Sequence, residues 1–137
     1  MATVDTVYLG DLRTEAKHVQ SQTKIITDAP VDNQGKGEAF SPTDLLVASL
    51  TSCMLTIMGI VSRTHNISLG GIKAETTKIM QAEPRKVSEI HIIFHFADDI
   101  VYNSKEKALL KKAAETCPVY LSLASDIKKT ITFNWVS

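Results

Sequence analysis

Between Leu45 and Ser62 the chain runs for 18 residues without a charge, inside the stretch SPTDLLVASLTSCMLTIMGI. That length sits at the lower limit for a membrane span. Five of the residues are Ser or Thr (Ser49, Thr51, Ser52, Thr56, Ser62), and no basic cluster or aromatic belt flanks the run. The reading is a buried central helix. Ser41 supplies the N-cap, Pro42 the first helical position and Asp44 an acid in the first turn, while Asn66 marks the end. Leu46, Leu50, Cys53, Ile57 and Ile60 follow at spacings of four, three, four and three, so Cys53 is expected on an apolar stripe. Leu45, Met54, Leu55, Met58 and Val61 widen that stripe around the helix. A helix this apolar must be covered on most sides, and one 137-residue chain with a single layer of sheet has too little mass to do so. An obligate homodimer is therefore expected.

The rest of the chain is strand-rich. In DTVYLGDLRTEAKHVQS, Leu12, Thr14, Ala16 and His18 alternate with Arg13, Glu15 and Lys17; TKIITDA is a short run ending at Pro30. DAPVDNQGKGEAF has the Gly, Pro, Asn and Asp density of a loop. IKAETTKIMQ and KVSEIHIIFHFAD read as two strands joined by AEPRK, with Ser88, Ile90, Ile92, Phe94 and Phe96 on one face of the second. SKEKALLKKAAET reads as an amphipathic helix with Leu109 and Ala113 inward and Leu110 beside them. DIKKTITFNWV reads as a last strand with Ile127, Ile131, Phe133 and Trp135 on one face. The order β-β-β-α-β-β-α-β makes a single α+β domain over residues 1–137.

Composition excludes several classes. Apolar content of 44% and charged content of 22% argue against disorder, and 15 basic against 15 acidic residues leave no electrostatic footprint for nucleic acid. The N-terminus has no basic region followed by an apolar block, so neither a signal peptide nor a membrane partner is expected. The expected compartment is the cytoplasm, where a disulfide is transient and catalytic rather than structural.

Two cysteines carry whatever chemistry there is, Cys53 and, 64 residues later, Cys117 in AAETCPVYLSL. A cysteine on a helix stripe is ordinarily inert packing. Cys117 differs: Pro118 disfavours a helical conformation there, so it falls at a helix boundary. If CPVYLSL starts a new turn, the free amides would favour the thiolate. His91 and His95 have the spacing of a helical metal pair, but on a strand they lie about 13 Å apart, and no metal site is expected. No nucleotide-binding loop or other cofactor signature is present, and no cofactor is expected. Of three arginines, Arg13 stands out, because it lies in a strand and a fixed guanidinium can hold a thiolate across the working pH range.

Taken together, SPTDLLVASLTSCMLTIM followed by AAETCPVYLSL resembles the OsmC/Ohr family of thiol-dependent peroxidases, over nearly the whole chain. The resemblance implies the OsmC-like fold, an intertwined homodimer with central helices packed between sheets, and two active sites at the subunit interface. It matches Cys53 to the peroxide-attacking cysteine, Cys117 to the resolving cysteine and Arg13 to the family's arginine. The implied activity is reduction of organic hydroperoxides through a Cys53–Cys117 disulfide, recycled by an external dithiol. One position departs from the pattern. The family's glutamate after the helix-starting proline is here Thr43, with the acid at Asp44, nine residues before Cys53 and on the opposite side of the helix. Either another acid such as Glu38 replaces that glutamate as the pair of Arg13, or the site is less activated. Two other classes stay open at this stage: a non-catalytic, stress-related dimer binding a small apolar ligand, and a different Cys53 reaction such as acyl transfer.

Overall fold

A computed structural model describes residues 1–135 of the chain. It comprises two compact units, Met1–Leu46 and the residues from Val47 onward. The first unit is an antiparallel sheet of three strands in sequential order, β1 (Val4–Gly10), β2 (Arg13–His18) and β3 (Lys24–Asp28). Asp11 and Leu12 both take positive φ (52° and 64°) in the turn between β1 and β2. This is the two-residue hairpin geometry whose twist matches that of the strands. Leu12 is thus a turn residue and not, as its alternation with Thr14 suggested, the start of a strand. Arg13 opens β2 and lies directly opposite Asp28 on β3. After β3 the chain makes one short 3-10 turn, Val31–Asn33, and Phe40 bridges back to Thr27.

The long helix α1 runs from Pro42 to His65. Its start is a reciprocal cap: the Asp44 N–H donates to Ser41 Oγ, and the Ser41 N–H donates to Asp44 Oδ2, both at 3.0 Å. Its end is Asn66, in the left-handed region at φ 54°. By length and composition α1 is apolar enough to cross a membrane.

The second unit holds the remainder of α1 and a mixed sheet ordered β4 (Lys73–Gln81), β5 (Lys86–His95), β6 (Lys128–Asn134). β4 and β5 are antiparallel, while β5 and β6 are parallel and joined by a crossover through α2 (Ser104–Glu115) and α3 (Pro118–Ser122). Val47, Leu50, Thr51, Met54 and Met58 form the buried face of α1, and Thr51 and Thr76 on β4 share a hydroxyl–hydroxyl bond. The expected stripe is therefore off by about one residue, or about 100° around the axis. Cys53 and Ile57 are only half-buried and Ile60 is 55% exposed. Because α1 is apolar nearly all round, hydrophobicity could not choose the face. Packing against the sheet chose it.

Two smaller expectations also change. In α2 the inward residues are Leu110, Ala113 and Ala114, with Leu109 half-buried. On β5 the pairing slips, so that Ile79 faces Glu89 while Met80 faces Val87, leaving Ser88 as the extra residue of a bulge. Val87 thereby joins Ile90, Ile92 and Phe94 in the core, and the Ser88 hydroxyl donates to the Ile79 carbonyl at 3.0 Å. At the other end an aromatic cluster closes the unit. Phe96 stacks on Trp135 at 4.1 Å and meets Tyr102 edge-on at 5.5 Å, and the Tyr102 hydroxyl donates to the Ser68 carbonyl. Such pairs add about 0.5–1.5 kcal/mol each beyond their area.

Candidate active site

The two sulfurs meet. Both are free thiols, and they lie close enough for Cys53 to act on the ionisation of Cys117. They arrive by different local rules. Cys53 sits about 120° from the middle of α1's buried face, at the flank of the helix, which leaves it half-buried. Cys117 is the N-cap of α3, with extended backbone (φ −69°, ψ 149°) enforced by Pro118 at the first helical position. Its Sγ accepts the Tyr120 N–H at 3.3 Å, and it has no exposed surface.

The electrostatics of Cys117 differ from expectation. The Tyr120 amide does favour the thiolate, but burial outweighs it, and the neighbouring Cys53 thiol acts in the same direction as burial. The net effect pushes the Cys117 thiol above its ordinary value. The amides at this boundary therefore do not make Cys117 a ready nucleophile, because a sulfur without solvent cannot hold charge cheaply. What the pair can do is oxidise together, since two neighbouring thiols are the prerequisite for a disulfide.

Arg13 belongs to the first unit, where it anchors a charge cluster. Its Nη2 donates to Asp28 Oδ2 at 3.1 Å and to Glu38 Oε1 at 3.3 Å. Glu38 is thus one acid beside the arginine, the first of the two alternatives left by the departure at Thr43. The second, Asp28, was not singled out from the sequence, where it reads only as the polar end of a strand before Pro30. It is fully buried and also accepts the Glu38 N–H at 3.0 Å. The Glu38 amide first, and then the Arg13 guanidinium, hold its carboxyl below the ordinary value against the opposing effect of burial. The positional signal that could have found it is the cross-strand register Arg13–Asp28, invisible until β2 and β3 are paired. Asp44 is engaged in the helix cap.

His91 and His95 lie on β5, where each faces a carboxylate, Glu89 at 2.9 Å and Glu75 at 3.5 Å. Among the described residues no group of three or more His, Cys, Asp or Glu could hold a metal ion.

Residues 35–132 match the family model described as OsmC-like protein. No curated protein matches the chain significantly. Among solved structures, a protein of Psychrobacter arcticus 273-4, provisionally named an osmotic stress induced and detoxification response protein, is 52% identical. The match covers 98% of this chain and 96% of that one, with a TM-score of 0.92. An OsmC like protein from Mycoplasma pneumoniae (18% identity, coverage 98% and 96%, TM-score 0.80) shares the fold. So does a protein of Legionella pneumophila named an organic hydroperoxide resistance protein OsmC (19% identity, coverage 98% and 98%, TM-score 0.72). With an α+β architecture of two three-stranded sheets, a long helix carrying Cys53 and a Pro-started short helix capped by Cys117, the chain belongs to the OsmC-like family.

Proposed function

We propose that residues 1–137 form one OsmC-like domain acting as a thiol-dependent peroxidase that reduces organic hydroperoxides by a two-cysteine mechanism. The observation that carries this is the placement of a partly exposed cysteine, Cys53, near a fully buried one, Cys117. The Cys53 thiolate attacks one oxygen of the O–O bond. The alkoxide leaves and is protonated to the alcohol, and Cys53 becomes a sulfenic acid. Cys117 attacks the sulfenic sulfur, hydroxide departs and is protonated to water, and the disulfide remains. An external dithiol reduces it. The substrate class is carried over from the name of the Legionella pneumophila relative.

Arg13 is assigned the role of favouring the Cys53 thiolate, on the family resemblance, with Asp28 and Glu38 as the acids that hold its guanidinium. The working unit is a homodimer. Supporting this, only 28% of α1's most apolar window is buried within the chain, and β1 exposes Val7 and Leu9 by half or more. Exposed apolar area of that kind, on each unit by itself, marks an interaction site. A reducing compartment, the cytoplasm, suits free Cys53 and Cys117 thiols.

The test is the intact mass of the reduced protein before and after one equivalent of cumene hydroperoxide. Loss of two hydrogens per chain, absent in Cys53→Ser, is the expected result. An unchanged mass with full recovery of the peroxide overturns the proposal.

A further inference from the structure

We infer that when the Cys53–Cys117 disulfide is reduced, the external thiol attacks Cys53, and Cys117 leaves as the thiolate. This rests on the two-cysteine reading and adds to it the direction of the recycling step.

Thiol–disulfide exchange proceeds by attack of a thiolate on one sulfur, in line with the bond that breaks. The attacked sulfur must therefore be open on the side away from its partner. Cys117 has no exposed surface, and its Sγ is engaged by the Tyr120 N–H of the turn that follows it. Any assembly of chains can only cover Cys117 further, whereas the two-cysteine reading requires Cys53 to stay reachable in it for peroxide to arrive. Cys53 stands at the flank of α1 and retains exposed surface.

The leaving group argues the other way. A buried Cys117 with a raised thiol pKa is a poorer leaving group than an open thiol, and exchange slows as the leaving thiol becomes more basic. The Tyr120 amide, already directed at Sγ, softens that cost by donating to the departing thiolate. Access decides the outcome, because a slow leaving group retards the step whereas an unreachable sulfur prevents it.

The electrons balance as follows. The thiolate of the reductant bonds to Cys53 Sγ, the S–S bond breaks, and the pair goes to Cys117, which takes up a proton. The second thiol of the dithiol then attacks the reductant's own sulfur, releases Cys53 and leaves the reductant as a disulfide. During that interval Cys117 lies beside the mixed disulfide and can close it again. A dithiol outruns this reversal intramolecularly, whereas a monothiol stops at the mixed disulfide, in equilibrium with the closed form, where an acid quench can trap it. Peroxide and reductant consequently use the same sulfur in alternation.

The disulfide is first made with diamide, so that its formation does not depend on peroxide. The oxidised protein is then treated briefly with 2-mercaptoethanol, quenched in acid, alkylated with N-ethylmaleimide and mapped by peptide mass. The expected product carries mercaptoethanol on Cys53 and maleimide on Cys117; the reverse pattern, or an even split, overturns the assignment. A second arm needs no disulfide. Methyl methanethiosulfonate should modify Cys53 in folded Cys117→Ser at least about tenfold faster than Cys117 in folded Cys53→Ser. Equal rates or a faster Cys117 overturn the inference whatever the first arm gives. Failure of diamide to form the disulfide, with the second arm as expected, counts against the two-cysteine mechanism and leaves the ordering of access standing.

Discussion

Replacing Cys117 separates what its sulfur does for the fold from what it does for the chemistry. In the reduced chain Cys117 is fully buried, and its Sγ accepts the Tyr120 N–H at 3.3 Å. In Cys117→Ser the hydroxyl oxygen accepts the same bond, and serine is among the preferred N-cap residues, where a capping side chain is worth about 1 kcal/mol. Against this stands a buried hydroxyl proton, which costs about 1–3 kcal/mol if it finds no acceptor. The net cost is about 0–2 kcal/mol. Cys117→Ala loses the cap and gains nothing, at about 1–2 kcal/mol. For a chain of this length 1 kcal/mol moves Tm by about 3–5 °C. Both variants should therefore fold, melting within about 10 °C of the parent when all are kept reduced. The chemistry should change entirely. Without added thiol the parent loses two hydrogens per chain on meeting one equivalent of hydroperoxide. Cys117→Ser should gain one oxygen on Cys53, and two or three in excess peroxide. Intact mass and a thermal melt read both outcomes. If Cys117→Ser turns over with dithiol at the parent rate and never accumulates oxygen, Cys117 is not the resolving residue. If it is unfolded, the capping arithmetic is wrong.

Other expectations follow from single residues. Arg13→Ala should slow peroxide consumption at neutral pH by roughly tenfold or more and raise the pH at which iodoacetamide alkylates Cys53, with the fold intact; an unchanged alkylation profile removes Arg13 from the mechanism. Asp28 has a lowered folded pKa, so its ionisation stabilises the protein above its unfolded value of 3.8, and that contribution is lost as pH falls through the lower folded value. Asp28→Asn should then melt below the parent at pH 7, with the gap shrinking as pH falls below 3.8, and a gap constant with pH contradicts this. Ile60→Asp should leave a monomer's stability within about 0.5 kcal/mol, but cost several kcal/mol if a second copy covers that face. Sedimentation at micromolar concentration should show the parent as a dimer and the variant as a monomer, and an equally tight dimer would place the interface elsewhere.

Much of this molecule is legible where local chemistry acts alone. Ser41, Pro42, Asp44 and Asn66 set the limits of α1 by satisfying its own terminal groups, and Pro118 set Cys117 outside a helix without reference to anything distant. Glu38 was named as a candidate partner for Arg13 from the family pattern rather than from local chemistry, and it does bond the guanidinium. What stayed hidden depends on pairing. The Ser88 bulge exists only against β4, and it reverses the face that Val87 would otherwise take. Adjacent Leu109 and Leu110 satisfy the helix period almost equally, and only the neighbouring elements select Leu110. Asp28 looks like an ordinary strand-end acid until β2 lies beside it. The direction of the Cys117 shift also needed the structure, because an N-cap amide and complete burial oppose one another and sequence shows only the first.

The reciprocal cap at Ser41 and Asp44 has a bearing on how this site can change over generations. An acid built into the first turn of α1 would serve two masters, the helix and the arginine, and any substitution there would disturb both. In this chain those duties are held by different segments. Asp44 serves the helix terminus, whereas Glu38, which bonds Arg13, sits in the irregular stretch before Phe40. Such stretches accept substitution and insertion far more readily than a helix start does. The exposed Glu38 can therefore be exchanged for a shorter, neutral or longer residue while the buried Asp28 keeps its own bond to the guanidinium. A chain built this way can change how firmly it holds its arginine without first having to re-engineer the start of α1.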